Sequence, residues 1–293
     1  MANRDLNTEI LHDSGVVSMQ FGAPAANASY TVLYLHGFPG SALEAAMLHA
    51  AAAEARVRVI SVDRPGFGKS GGSNLCQSSI AQTGALIAGV MRDLQVTEYT
   101  IVAISGGAPY ALATALAAPE SVKKLVIVSG LGDLTRAGAT DGMIAQNKLI
   151  LKIAKLAPFI CLPALRMIAE GWAQKPHSMI CMMAKMLPGE DRHILLDPVF
   201  AAPFAASMQR GVLQGHSGGY AELRRLVRPW NLDLPALRCR IEIFHGDADG
   251  YVPLSHAQWL KEKVPHAKLT VFKDRGHFMA ARMENEILAA CLA

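Results

Sequence analysis

A serine sits between two unlike stretches in Tyr99–Pro119, YTIVAISGGAPYALATALAAP. Tyr99–Ile104 is short, β-branched and apolar, which predicts a buried strand. Gly107–Ala118 is rich in Ala and Leu, which predicts a helix. Ser105-Gly106-Gly107 is then a sharp turn that pushes the serine Oγ out at a sheet edge, a nucleophile elbow. The helix N-terminus aims free N–H groups and the positive end of its dipole at any anion forming there. Gly106 N–H is placed to help hold an oxyanion. A serine hydroxyl is a weak nucleophile and needs a base in hydrogen-bond reach and a third group to orient that base. Two downstream motifs supply them, HGDADGYVP at 245–253 and RGHF at 275–278. The order Ser105, Asp249, His277 predicts acyl transfer through a Ser–His–Asp triad.

Rival readings exist for each residue. The G-x-S-x-G pattern wants Gly at 103, where this chain has Ala103, the next smallest side chain. A strict match lies at Gly215-His216-Ser217-Gly218-Gly219, but Met208–Gln214 ahead of it does not read as a strand. The strand–turn–helix context therefore selects Ser105 over Ser217. Of ten histidines, His36 and His245 lie in His-Gly turns and read as structural, bonding local backbone. His216 reads as a surface or packing residue that could reach the pocket. Asp133 is the rival acid. Asp63 and Arg64 read as stabilising their own turn. Gly66-x-Gly68-Lys69-Ser70 echoes a phosphate-binding loop in letters only, since the glycine spacing is wrong. No metal-ligand cluster is evident, and no cofactor is expected.

The elements that must position these groups alternate. Thr8–His12 and Val16–Phe21 flank Asp13-Ser14-Gly15 and read as a hairpin. Tyr30–Leu35 is a buried strand ending in HGFPG at 36–40. Ser41 and Glu44 read as a capping box that opens a helix to about Ala55. A strand at Val57–Val62, a helix near Ser79–Leu94, the elbow, and a strand at Leu125–Ser129 follow. Such alternation implies a mostly parallel sheet covered on both faces, with active groups at the carboxyl ends of its strands. From about Asp133 to Pro229 the alternation stops. That block is helical, apolar and Met-rich, and reads as a lid over the catalytic edge. Any one Met is core filler, yet together they imply an adaptable apolar cavity. Strands at Cys239–Phe244 and Lys268–Phe272 and helices near Leu254–Val264 and Ala280–Cys291 complete the core. The expected division is 1–132 with 230–293 as core, and 133–229 as lid.

Composition narrows the class. The 293 residues suit one large domain or one carrying an insertion. Net charge is +4 with scattered Lys and Arg, so nucleic-acid binding has little support. The one dense group, Arg224, Arg225 and Arg228, reads as a solvated helix face. Cys76, Cys161, Cys181, Cys239 and Cys291 are odd in number and lack metal spacing, as expected of free thiols in a reducing cytoplasm. MANRDLNTEI has no apolar core of a signal peptide. Leu149–Ala169 is interrupted by Lys152, Lys155, Pro158, Pro163 and Arg166 and is a poor transmembrane candidate. The expectation is a cytoplasmic protein without stable membrane insertion, of open oligomeric state.

The chain resembles the α/β-hydrolase family over nearly its whole length outside the lid. LHGFPG at 35–40, DRPGFGKS at 63–70, SGGAPYAL at 105–112, HGDADGYVP at 245–253 and GH at 276–277 carry the resemblance. Each is weak alone; five in order are specific. The resemblance implies an eight-stranded sheet with the lid inserted after the sixth strand. It implies Phe38 N–H as second oxyanion donor, and it selects Asp249 over Asp247. It keeps Asp133 open, because some relatives carry the acid after the sixth strand. Serine rather than aspartate at 105 argues against dehalogenase-like and epoxide-hydrolase-like members. The elbow also lacks the Trp of proline-iminopeptidase-like members, and Phe278 stands where many C–C hydrolases have Trp. The expected substrate is a small to medium apolar ester. A C–C bond hydrolase or lactonase is the enzymatic alternative, and a ligand-sensing or cofactor-free oxygenase relative the other.

Overall fold

A computed structural model describes residues 8–71, 77–187 and 189–293; Cys76 and most of the N-terminal decapeptide lie outside them. Eight strands form one sheet: β1 (Glu9–Leu11), β2 (Val17–Gly22), β3 (Tyr30–Leu35), β4 (Val57–Asp63), β5 (Tyr99–Ile104), β6 (Val122–Val128), β7 (Arg240–Gly246) and β8 (Lys268–Phe272). Their spatial order is β1-β2-β4-β3-β5-β6-β7-β8. The β1–β2 and β2–β4 pairs are antiparallel. The other five are parallel.

Period-two alternation within the apolar strands builds two cores. Leu33, Leu35, Ile101, Ala103, Leu125 and Ile127 face one layer. That layer holds α2 (Ile80–Asp93), α3 (Ala108–Ala117) and α10 (Ser255–Lys263). Val32, Tyr34, Val102, Val126 and Val128 face the other, which holds α1 (His49–Glu54) and α11 (Glu284–Leu292). Ser79 caps α2 in a true capping box with Gln82. Ser41 does not cap. Residues 42–48 form a 3₁₀ segment, the Ser41 hydroxyl donates to the Ser207 carbonyl, and Glu44 turns to Gly37. The expected capping box there is therefore replaced by two tertiary contacts.

Between β6 and β7 lie α4 (Ala145–Leu156), α5 (Leu162–Gln174), α6 (Pro176–Met186), α7 (Gly189–Leu196), α8 (Pro198–Gly211) and α9 (Ser217–Leu226). They enclose two further apolar clusters, around Leu165 and Leu223 and around Trp172 and Leu195. Two buried ion pairs tie α8 and α9 to the sheet. Arg210 Nη2 lies 2.6 Å from Asp63 Oδ2. Arg64 Nη2 lies 2.6 Å from Glu222 Oε1, with both side chains out of solvent. Asp63 and Arg64 thus reach far beyond their own turn, although Asp63 also accepts from Lys69 N. Arg225 is not on a solvated face either: its side chain is nearly buried and donates to the Tyr110 hydroxyl. Arg228 is exposed.

Candidate active site

β5 ends at Ile104, and Ser105 takes φ of +51°, a strained conformation for a residue with a side chain. The strain follows from a strand turning directly into a helix. The turn fits against the β3 loop because the two residues that follow Ser105 have no side chains. A Cβ on Gly107 would meet the Leu35 carbonyl oxygen at 2.4 Å. One on Gly106 would lie 2.7 Å from Phe38 Cβ and 3.2 Å from Phe38 N. The close approach puts the Phe38 and Gly106 backbone side by side next to Ser105. Ser217, by contrast, starts α9 after a helix rather than a strand, is exposed, and donates to the Gln214 carbonyl.

The loop carrying Phe38 is held from three sides. Gly37 N–H donates to both Glu44 oxygens at 3.1 and 3.2 Å, and Tyr34 O–H donates to the same carboxylate at 3.0 Å. His36 Nδ1–H donates to the Gly37 carbonyl at 2.8 Å, while its Nε2 accepts from Arg64 N–H. Both ring nitrogens are thereby used in the neutral form. Burial, together with the Arg64 charge, keeps the His36 pKa well below the usual value. Arg64 also donates to the His36 and Gly37 carbonyls. His36 and His245 therefore bond local backbone as expected, the latter through Nε2 to the Val252 carbonyl.

Asp249 and His277 come from the loops after β7 and β8. Asp249 Oδ1 accepts from Tyr251 N and Val252 N, at 2.9 and 2.8 Å. This fixes the carboxylate so that Oδ2 accepts from His277 Nδ1–H at 2.8 Å. Burial pulls the His277 pKa down, but the charge and hydrogen bond of Asp249, with help from Asp191 and Glu44, outweigh it and raise it above the usual value. Asp133 folds back on Thr135, and Asp247 accepts from Asp274 N. Neither of those carboxylates bonds to the imidazole. His216 lines the cavity.

Two carboxylates at the site had no functional reading in the sequence. Glu44 was legible only as a capping partner. Asp191, on α7, is buried and accepts from His277 N and Phe278 N through its two oxygens, each at 2.8 Å. It supplies in trans the cap that the 3₁₀ turn at 277–282 lacks from its own flank. Gly276 leaves room for it, since a Cβ there would fall 2.3 Å from the carboxylate. Burial raises the Asp191 pKa against the lowering effect of these two N–H donors. No local pattern marks Asp191, because its partners lie more than eighty residues away.

Ser105, Gly106, Phe38 and His277 open into a cavity of about 340 Å³. Its wall comes largely from the β6–β7 helices, through Leu151, Ile168, Met179, Met183, Phe200 and Phe204. None of the described lining residues is Lys or Arg, and Glu44 is the one acid. No group of three or more His, Cys, Asp or Glu among the described residues is arranged to hold a metal. No helix among them is long and apolar enough to cross a membrane.

An eight-stranded, mostly parallel sheet with a strained serine after β5 and an acid–histidine pair after β7 and β8 defines a hydrolase-type α/β architecture. The chain belongs to the alpha/beta hydrolase family, whose family model matches residues 32–290. It is 25% identical over 262 residues to the dihydrolipoyllysine-residue acetyltransferase component of the acetoin cleaving system of Cupriavidus necator. That match covers 88% of this chain and 62% of that protein, so the chain spans less than two thirds of this relative's length. It is 24% identical to 2-hydroxymuconate semialdehyde hydrolase of Pseudomonas putida, over 75% of this chain and 70% of that one. Its fold matches an esterase from Exiguobacterium antarcticum with a TM-score of 0.71 at 19% identity, covering 98% of this chain and 100% of that one.

Proposed function

We propose that the protein is a serine carboxylesterase acting on small to medium apolar esters. The observation that carries this reading is the Asp249–His277 hydrogen bond, with the histidine facing the same apolar cavity as the strained Ser105. His277 Nε2 takes the Ser105 proton as Oγ adds to the acyl carbonyl. Asp249 holds the imidazole in the required tautomer and stabilises the imidazolium. Phe38 and Gly106 N–H groups take the oxyanion, each worth about 3–4 kcal/mol in comparable sites. His277 then protonates the leaving alcohol, and water activated by His277 releases the acid from the acyl-enzyme. Asp191 and Glu44 act through others: the first orients His277 by its backbone, the second orients the Phe38 loop. Residues 133–229 act as the lid and supply the acyl pocket.

Cleavage of a carbon–carbon bond is the second reading, brought by the muconate-type relative. Its substrate, by its name, carries a carboxylate. The described lining of the cavity has no Lys or Arg to pair with one, and an ionised Glu44 would repel it. The ester reading is therefore favoured.

A p-nitrophenyl ester series from acetate to about hexanoate tests it, with Ser105→Ala as blank. kcat/KM should rise with chain length by less than the full transfer value of about 0.8 kcal/mol per CH₂, because ordering of the pocket opposes it. A fluorophosphonate probe should label Ser105 and spare Ser217. A flat or falling series, or an adduct on Ser217, would sink the assignment.

A further inference from the structure

The helices that wall the cavity carry a second surface on their outer side. Within residues 148–170, Leu149, Leu156, Phe159, Ile160 and Met167 are all exposed. Leu156, Met167 and Phe159 leave 74, 68 and 66% of their surface in solvent, so they project from the molecule rather than line a groove. Lys148, Lys152, Lys155 and Arg166 lie in the same span and are exposed too. The only acid in the span is Glu170, which is paired with Arg166 at 2.9 Å. On α4 the lysines fall at i, i+4 and i+7, one stripe of the helix, with Leu149 and Leu156 beside it. Ile150 and Leu151 face the other way, into the cavity. On α5 Met167 points out while Ile168 and Ala169 line the cavity.

Projecting apolar tips interspersed along one span with exposed cations suit a partner that is negatively charged, apolar beneath its charge, and deformable. We propose that the α4–α5 corner docks reversibly on an anionic lipid surface, with Leu156, Phe159, Ile160 and Met167 entering the headgroup–acyl boundary. The lysines would lie among the lipid phosphates. A second copy of the chain is a worse occupant, because symmetric pairing would bring the same cations together. An acidic protein would satisfy the charge, but it would need a concave, pre-shaped pocket for each projecting side chain. The proposal goes beyond the esterase reading and does not need it. It would, however, place the cavity wall against a source of apolar acyl groups.

Co-flotation of the purified full chain with vesicles tests the proposal, using phosphatidylcholine alone and phosphatidylcholine with about 30% phosphatidylglycerol. Binding should require the anionic lipid and weaken as salt is raised, since screening shortens the reach of surface charge. Lys152→Glu with Lys155→Glu should lower the vesicle partition coefficient by about 30-fold or more. Phe159→Ser with Ile160→Ser should lower it about tenfold or more, at either salt concentration. None of these four residues lines the cavity, and a far-UV circular dichroism spectrum with a cooperative urea transition like the parent's reports that each variant is folded, whatever the protein hydrolyses. No flotation with anionic vesicles overturns the proposal. So does binding that both double variants retain. A concentration-dependent dimer abolished by Phe159→Ser with Ile160→Ser would assign the corner to a second copy instead.

Discussion

Asp191→Asn separates positioning from folding. Each Asp191 oxygen now takes one backbone N–H, from His277 and from Phe278. An amide keeps one acceptor and turns its NH₂ toward the other donor, so one charge-assisted bond is lost and one buried N–H is left opposed. Bonds to charged groups contribute about 1.5–3 kcal/mol, and an orphaned buried donor costs about 1–3 kcal/mol. A total of about 2.5–6 kcal/mol falls on the turn that carries His277. If half of it disturbs the imidazole rather than the global fold, kcat falls by roughly 8- to 160-fold. The charge gives an independent readout. Asp191 helps to raise the His277 pKa, so removing the charge lowers it. His277 must be neutral to act as base, so the acidic limb of kcat/KM moves to lower pH in Asp191→Asn. Urea unfolding gives the stability change, and the pH–rate profile of a short ester gives the limb. Asp191→Glu, which keeps the charge, should restore the wild-type limb even if it is less stable. An Asp191→Asn enzyme with unchanged kcat and an unmoved limb would refute the reasoning.

The wild-type limb itself should lie above the reference imidazole value of about 6.5, since the His277 pKa is raised. Full activity well below that value would contradict a His277 base. Asp249→Asn should lower kcat by about 10⁴ because the amide favours the wrong tautomer, while Asp133→Asn should cost little. A crippled Asp133→Asn with a mild Asp249→Asn would move the acid to the loop after β6. Glu222→Ala strands Arg64 in a solvent-free site and should destabilise the protein by about 3–5 kcal/mol in urea titration. A loss under about 1 kcal/mol would mean that the His36 and Gly37 carbonyls suffice for Arg64.

The sheet was legible because its strands are continuous apolar runs. Tyr30–Leu35 and Lys268–Phe272 match the observed bounds, and the elbow strand ends where expected. β6 starts earlier than its apolar run suggests, at Val122, because Lys123 and Lys124 interrupt the pattern. Lys124 is nevertheless buried, its amino group donating to the Ala290 carbonyl and to Glu242. The placement of Ser105, Asp249 and His277 at one sheet edge was legible because each follows a strand. What was not legible lies in long-range polar pairing. Ser41 and Glu44 spell a capping box as well as Ser79 and Gln82 do, yet tertiary partners claim the first pair. Arg225 reads as solvated from its neighbours and is nearly buried against Tyr110. Asp191, Glu222 and Arg210 carry no local mark of the partners they meet across the fold.

The insertion between β6 and β7 also orders events during synthesis. β6 and β7 are hydrogen-bonded neighbours, so closing the sheet means bridging about 110 intervening residues. Lengthening such a loop adds little entropy cost, about 0.6 kcal/mol per doubling. Time is the larger consequence. At 5–20 residues per second, His277 leaves the ribosome on the order of ten seconds or more after Ser105. For about half of its synthesis the nascent chain therefore contains Ser105 with neither Asp249 nor His277. The helices that contribute Asp191 emerge before the histidine they will hold, so the receiving carboxylate is ready when the last loop arrives.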